Sequence, residues 1–201
     1  MNKILLNIVI RDKNKFNIYK NYFDNIYSSY FNIQIVNGNI IDFQNDVIVS
    51  AGNSYGMMDG GIDGDINYYL NYIHNDVQFI IKNKYYGELP VGTSILLQIN
   101  KNKVPYSNFK YLCYTPTMKV PEDVSTFLNS YLALRSVLVL CLNNKTIINS
   151  IIIPLFCGGA GNMSDDILFH QYKSAIESLE NNNIKFEWNH IWKNHKLLIK
   201  K

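Results

Sequence analysis

The chain has 201 residues, 47% of them hydrophobic and 17% charged, which fits one globular domain and excludes a disordered chain. A net charge of +3 is too mild to indicate a nucleic-acid-binding surface. No run of 18 apolar residues is present, so no membrane-spanning helix is expected. Nor is any other membrane association.

Met1-Asn2-Lys3 followed by Ile4 to Ile10 superficially resembles a signal peptide. Its apolar run is short, interrupted by Asn7 and followed by Arg11 and Asp12, so a first strand over 4–10 is the better reading. A helix follows over about 13–29, then strands at 33–36 and 46–50. Helical periodicity returns over about 62–82. Strands at 92–98 and 110–115 precede a helix over about 123–142, introduced by Pro121-Glu122-Asp123 with its N-terminal proline and acidic first turn. A strand at 148–153 has little polar alternation, which implies burial on both faces. Ser164 or Asp165 caps a helix over about 165–182. A strand at 184–187 and a short helix near 188–197 complete the series. Alternating strands and helices predict an α/β fold, a three-layer α/β/α sandwich with a mixed, largely parallel sheet. No linker, repeat or low-complexity tract divides residues 1–201.

Cys113, Cys141 and Cys157 are odd in number and far apart. They form no CxxC pair and no zinc-ligand spacing, so they read as buried free thiols in a reducing, intracellular compartment. No metal or cofactor is called for. The four histidines have no partners at catalytic spacing. Trp188 and Trp192 read as packing residues, and Lys193, Lys196, Lys200 and Lys201 as a solvated basic tail. Oligomeric state is left open.

Five of the chain's 11 glycines fall between Gly52 and Gly64, directly after the strand at 46–50. Asn53, Asp59 and Asp63 lie among them. A second cluster, Gly158-Gly159-Ala160-Gly161-Asn162, follows the strand ending at Ile153. Glycine costs backbone entropy, so such clusters mark sharp turns or close approach to a ligand. In open α/β sheets ligands bind beyond the C-terminal strand ends. Glycine loops that enter helices offer backbone N–H groups to anions. A phosphate or diphosphate ligand follows. GxxxxGK[ST] is absent and the second loop lacks GxGxxG, which disfavours kinases, ATPases and Rossmann dehydrogenases. Asp59 reads as a turn residue, and Glu88 and Pro90 as turn-setting residues. Thr117 and Lys119 lie within reach of the same edge.

Val49-Ser50-Ala51-Gly52-Asn53 with Gly60-Gly61-Ile62-Asp63-Gly64 resembles the signature of macro domains, which are ADP-ribose-binding modules. Val36 to Ile40 resembles the family's Gly-Asp-Ile strand end, and Pro154 to Met163 its diphosphate loop. The resemblance is strongest over residues 33–180. It implies that Asn39 accepts a hydrogen bond from the adenine amino group and that Ile40 offers a backbone N–H and an apolar wall. It implies that Ala51 lies in the binding motif, that Asn53 reaches the distal ribose and that Gly60, Gly61 and Ile62 wrap it. Gly158, Gly159, Ala160, Gly161 and Asn162 would cradle the diphosphate. Asp63 would orient water for attack on the anomeric carbon, making Asn53 and Asp63 the catalytic pair; alternatively Asp63 only caps a helix. The resemblance thus implies a hydrolase acting on mono-ADP-ribosyl protein, O-acetyl-ADP-ribose or ADP-ribose 1″-phosphate, with ADP-ribose or ADP-ribosylated protein as partner. The alternatives are a non-catalytic reader of ADP-ribose, or a binder of RNA or another nucleotide.

Overall fold

A computed structural model describes residues 2–180 and 186–199. The elements run β1 (Ile4–Ile10), α1 (Lys13–Phe23), β2 (Phe31–Asn37), a single 3-10 turn (Ile40–Asp42), β3 (Val47–Asn53), α2 (Gly61–Tyr69), α3 (His74–Lys84), β4 (Ile95–Gln98), β5 (Tyr111–Met118), α4 (Asn129–Asn143), β6 (Ser150–Ile153), α5 (Asp165–Glu177) and α6 (Trp188–Leu198). The six strands form one sheet in the order β2-β1-β6-β3-β5-β4. All neighbours are parallel except β4, which runs antiparallel to β5 at the edge.

Helices cover both faces. Tyr19 and Phe23 of α1, Ala133 to Cys141 of α4, and Leu168 and Tyr172 of α5 pack on one side. Ile66 and Leu70 of α2 and Val77 and Ile81 of α3 pack on the other. In β6, Ile151 and Ile153 enter the first cluster and Ile152 the second, so the apolar run is buried on both faces as its composition implies. This is the three-layer α/β/α architecture.

Several helical boundaries differ from expectation, and α5 ends at Glu177 rather than near residue 182. The segment 62–82 breaks into α2 and α3, because Asn71 and Tyr72 adopt φ of 54° and 59°, a left-handed kink no helix can contain. The helix after Pro121 begins only at Asn129, since Asp123 Oδ1 accepts the Ser125 N–H and turns the chain locally. Helix α1 stops at Phe23 rather than near residue 29. The chain then turns so that Ser28 Oγ and the Ser29 N–H donate to the Glu180 carboxylate. Of the strand expected at 184–187, residues 184 and 185 lie outside the described residues, and Phe186 and Glu187 are not in a strand.

All three cysteines are buried free thiols. Burial pushes the Cys141 and Cys157 thiols up to about 12, and that of Cys113 up as well. Among the described residues no helix is long and apolar enough to cross a membrane. Nor do three His, Cys, Asp or Glu side chains cluster there as a metal-binding set.

Candidate functional site

Strands β6 and β3 are parallel neighbours, but the chain leaves them toward opposite faces of the sheet. From β3 it passes to α2 on one face, and from β6 to α5 on the other. Such a switch point leaves a crevice between the two departing loops. Those loops carry Gly60 to Ile62 and Gly158 to Asn162. The ends of β1 and β2 lie on the same edge, so Asn39 and Ile40 stand two strands from β6.

The two loops share an open main chain. A methyl group placed on Gly60, Gly61 or Gly159 would meet no atom within 4 Å. Gly60 is the N-cap of α2 and Ser164 that of α5, and neither helix has a side-chain cap bond. The first N–H groups of a helix have no intrahelical acceptor, so both termini present donors and a positive dipole end. Gly61 has φ of +56°, which favours glycine.

The second loop is internally tied. The Met163 N–H donates to the Cys157 carbonyl at 3.1 Å and that of Asn162 to Gly159 at 2.9 Å. A Cβ on Gly161 would lie 2.8 Å from the Cys157 carbonyl oxygen, so this turn requires glycine. The segment after β5 braces it from outside. The Val124 N–H donates to Gly161 O, and Asn162 Nδ2 donates to Asp123 Oδ2 at 2.9 Å. The Asn162 amide beside Asp123, with the Ser125 hydroxyl and N–H, holds that exposed carboxyl at about 2.

Asn53 is 8% exposed and is engaged by its own loop. Its Oδ1 accepts from the N–H groups of Tyr55 and Met57, and its Nδ2 donates to Met57 O at 2.7 Å. The family resemblance assigns it to the distal ribose, but its first task here is to fold the glycine loop. Asn53→Ala is expected to cost about 2–3 kcal/mol in urea unfolding, with or without ligand, because three hydrogen bonds of a mostly buried turn are lost.

Beneath this loop sits a residue the sequence did not reveal. The β3–β5 register slips between Gly52, opposite Pro116, and Asn53, opposite Met118. Where the ladder slips, the Tyr114 hydroxyl serves both main-chain groups of Asn53, donating to its carbonyl at 2.7 Å and accepting from its N–H at 3.0 Å. Burial, with the nearby Asp63 carboxylate, pushes the Tyr114 hydroxyl well above its ordinary value, so it stays protonated. A tyrosine in a strand carries no local sign of this role, because it depends on cross-strand register.

Asp63 lies in the first turn of α2, 6% exposed, with its carboxylate aimed at the sheet. The buried Ser50 hydroxyl donates to its Oδ1. Burial raises the Asp63 carboxyl from its ordinary 3.8 to about 6. The Ser50 hydroxyl partly opposes that rise and the Asp59 charge adds to it. Asp63 therefore does not fold back to cap α2. Ser50 belongs to the motif the sequence singled out, but its contact with Asp63 was not legible from it.

Other expected members are placed less directly. The Ile40 side chain is fully buried in the core under α2 and α3, so the apolar wall expected of it is not exposed. Asn39 Oδ1 is buried without a hydrogen-bond partner. Ala51 is half-buried against the α1/α4/α5 side of the core. The Thr117 hydroxyl donates to Gly52 O, and Lys119 pairs with Glu88 at 2.9 Å. With Tyr55, which donates to the same carboxylate, they form a rim beside the first loop.

No protein-family profile and no curated protein sequence matches the chain. Solved structures do. A Mycobacterium tuberculosis DarG macrodomain superposes with a TM-score of 0.59 at 17% identity, over 71% of this chain and 88% of that one. A substituted Oceanobacillus iheyensis macrodomain with ADPR gives 0.60 at 20% identity, over 82% and 91%. The chain has the macrodomain fold. A Trypanosoma brucei macrodomain in complex with ADP extends the likeness, with a TM-score of 0.54 at 18% identity over 80% of this chain and 66% of that one.

Proposed function

We propose that this macrodomain-fold chain, residues 1–201 acting as one domain, binds ADP-ribose in the β3/β6 crevice. The observation that supports this reading is the placing of two loops with open glycines, Gly60–Gly61 after β3 and Gly159 after β6, beyond the ends of neighbouring parallel strands from which the chain departs to opposite faces. A diphosphate needs several donors at short range, and main-chain N–H groups at two uncapped helix entrances supply them without side-chain bulk. The ADPR and ADP in the O. iheyensis and T. brucei structures support the same ligand class. Isothermal titration is expected to give ADP-ribose at least tenfold tighter binding than AMP. Gly159→Val, which fills open space, is expected to remove that advantage without lowering the melting temperature. Equal affinity for both nucleotides, or none for ADP-ribose, rejects the reading.

A second reading rests on Asp63. Its carboxyl near 6 is ionised in most molecules at neutral pH, yet more basic than an ordinary aspartate. It is suited to take a proton from a water that attacks the anomeric carbon as the bond to a leaving carboxylate or phosphate breaks. Asp63→Ala is then expected to reduce release of ADP-ribose from a modified protein by at least 100-fold while affinity for free ADP-ribose stays within threefold. Wild-type protein that binds ADP-ribose and releases none is a reader.

A further inference from the structure

Helix α6 is the least buried element of the molecule. None of its residues is buried, and its polar tie to the body is His170, whose Nε2 donates to the Leu197 and Leu198 carbonyls at 3.0 and 3.1 Å. Its main packing neighbour is α5. Yet its sequence is amphipathic. Trp188, Trp192, His195 and Ile199 recur at i, i+4, i+7 and i+11, the spacing of one helical face. Ile191 lies beside them. His190 and Leu198, the two residues of the helix that are partly covered, lie off that stripe, so the apolar side faces away from the domain. Trp188 is 73% exposed and Trp192 54%, which excludes core packing for both.

The charge is as uneven as the burial. Residues 186–201 contain four lysines and one acid, Glu187, for a formal charge of +3, which equals the net charge of the whole chain. The remaining 185 residues are neutral in sum. Lys196 and Lys193 both lie on the Trp192 side of the apolar face, Lys196 nearer, and no acidic side chain lies within α6. Solvent-exposed tryptophan costs free energy in water, and indole is favoured where an apolar medium meets a polar one. A short helix with tryptophans on one face and lysines beside them matches the chemistry of an anionic bilayer surface.

We propose that α6 docks this chain onto an anionic phospholipid membrane, lying in the interface plane with Trp188, Trp192 and Ile199 inserted and Lys193 and Lys196 against the headgroups. This is surface attachment, distinct from spanning the bilayer, and independent of what the β3/β6 crevice binds. The chain's two tryptophans both lie on the docking face, so intrinsic fluorescence reports the event directly. With the full chain, phosphatidylserine-containing vesicles are expected to shift tryptophan emission to the blue and carry the protein into the pellet. Pure phosphatidylcholine vesicles are expected to do neither, and high salt to reverse both. K193E/K196E is expected to weaken vesicle partitioning about tenfold or more, since each lysine near such a surface is a substantial part of the attraction. Far-ultraviolet circular dichroism and the melting temperature of the variant, matched to wild type, would show that the fold is intact. Absence of partitioning, or equal partitioning of wild type and K193E/K196E, overturns the proposal. So does a blue shift that grows with protein concentration in the absence of lipid, which would assign the face to a second copy of the chain.

Discussion

Gly52→Ala is expected to lower the melting temperature by about 6–12 °C, equivalent to about 3 kcal/mol for a domain of this size. A Cβ at this position would stand 2.1 Å from the Tyr114 hydroxyl oxygen and 2.3 Å from the ring carbon that bears it. Those distances are far inside contact, so the ring must move. It is fully buried, packed among the residues beneath α2 and α3. Displacement therefore adds overpacking to the loss of both hydrogen bonds to Asn53. Gly60→Ala is the matched control. It adds the same methyl group in the same loop, where φ is −150° and no atom lies within 4 Å. A change of about 0.5 kcal/mol or less is expected there. Thermal unfolding of the pair separates steric need from composition. Equal melting temperatures would show that the Tyr114 ring yields freely.

Asp63→Asn is expected to stabilise the protein at neutral pH by about 2 kcal/mol. Burial holds the folded carboxyl near 6, against 3.8 for the exposed group. Between those values the folded state binds more protons than the unfolded state, so stability falls as pH rises through that window. Above pH 6 the cost is fully present, at about 3 kcal/mol for the ionised form. Asparagine is neutral and its carbonyl still accepts from Ser50, so it escapes most of that cost. Below about pH 4 the aspartate is protonated in both states and the advantage of the variant disappears. Urea unfolding at pH 4 and pH 7.5 measures the difference. A variant less stable than wild type at pH 7.5 would mean that the charge has a stabilising partner in solution. An ionised carboxylate beneath the glycine loop is a cost to folding, which is why this residue carries the proposed hydrolase reading.

Much of this arrangement could be read from the residues alone. The isoleucines of β6 announced a strand buried on both faces. The glycines at 52–64 and 158–161 announced two loops on one sheet edge. What escaped was set by contacts distant in sequence. Tyr114 lies 61 residues from the Asn53 main chain it supports, and the slip at Pro116 that brings them together depends on strand register. The bonds of Asn53 to Tyr55 and Met57 are likewise a property of the folded turn, which its residue type and place do not announce. The break at Asn71 and Tyr72 carries no proline or glycine, so helical periodicity ran through it unmarked. For Trp188 and Trp192 core and surface packing were equally open, and only the position of α6 outside the packed layers excludes the core.

The burial of all three thiols has a practical use. With Cys141 and Cys157 near 12 and Cys113 also raised, almost no thiolate exists at neutral pH, and reagents cannot reach the sulfurs without unfolding. The native chain therefore behaves toward maleimides as though it had no cysteine. A single cysteine placed at the exposed Ala160 would take a fluorophore at the crevice with no background labelling. The proposed entry of ADP-ribose between the two glycine loops would then be followed on the intact, otherwise unaltered protein.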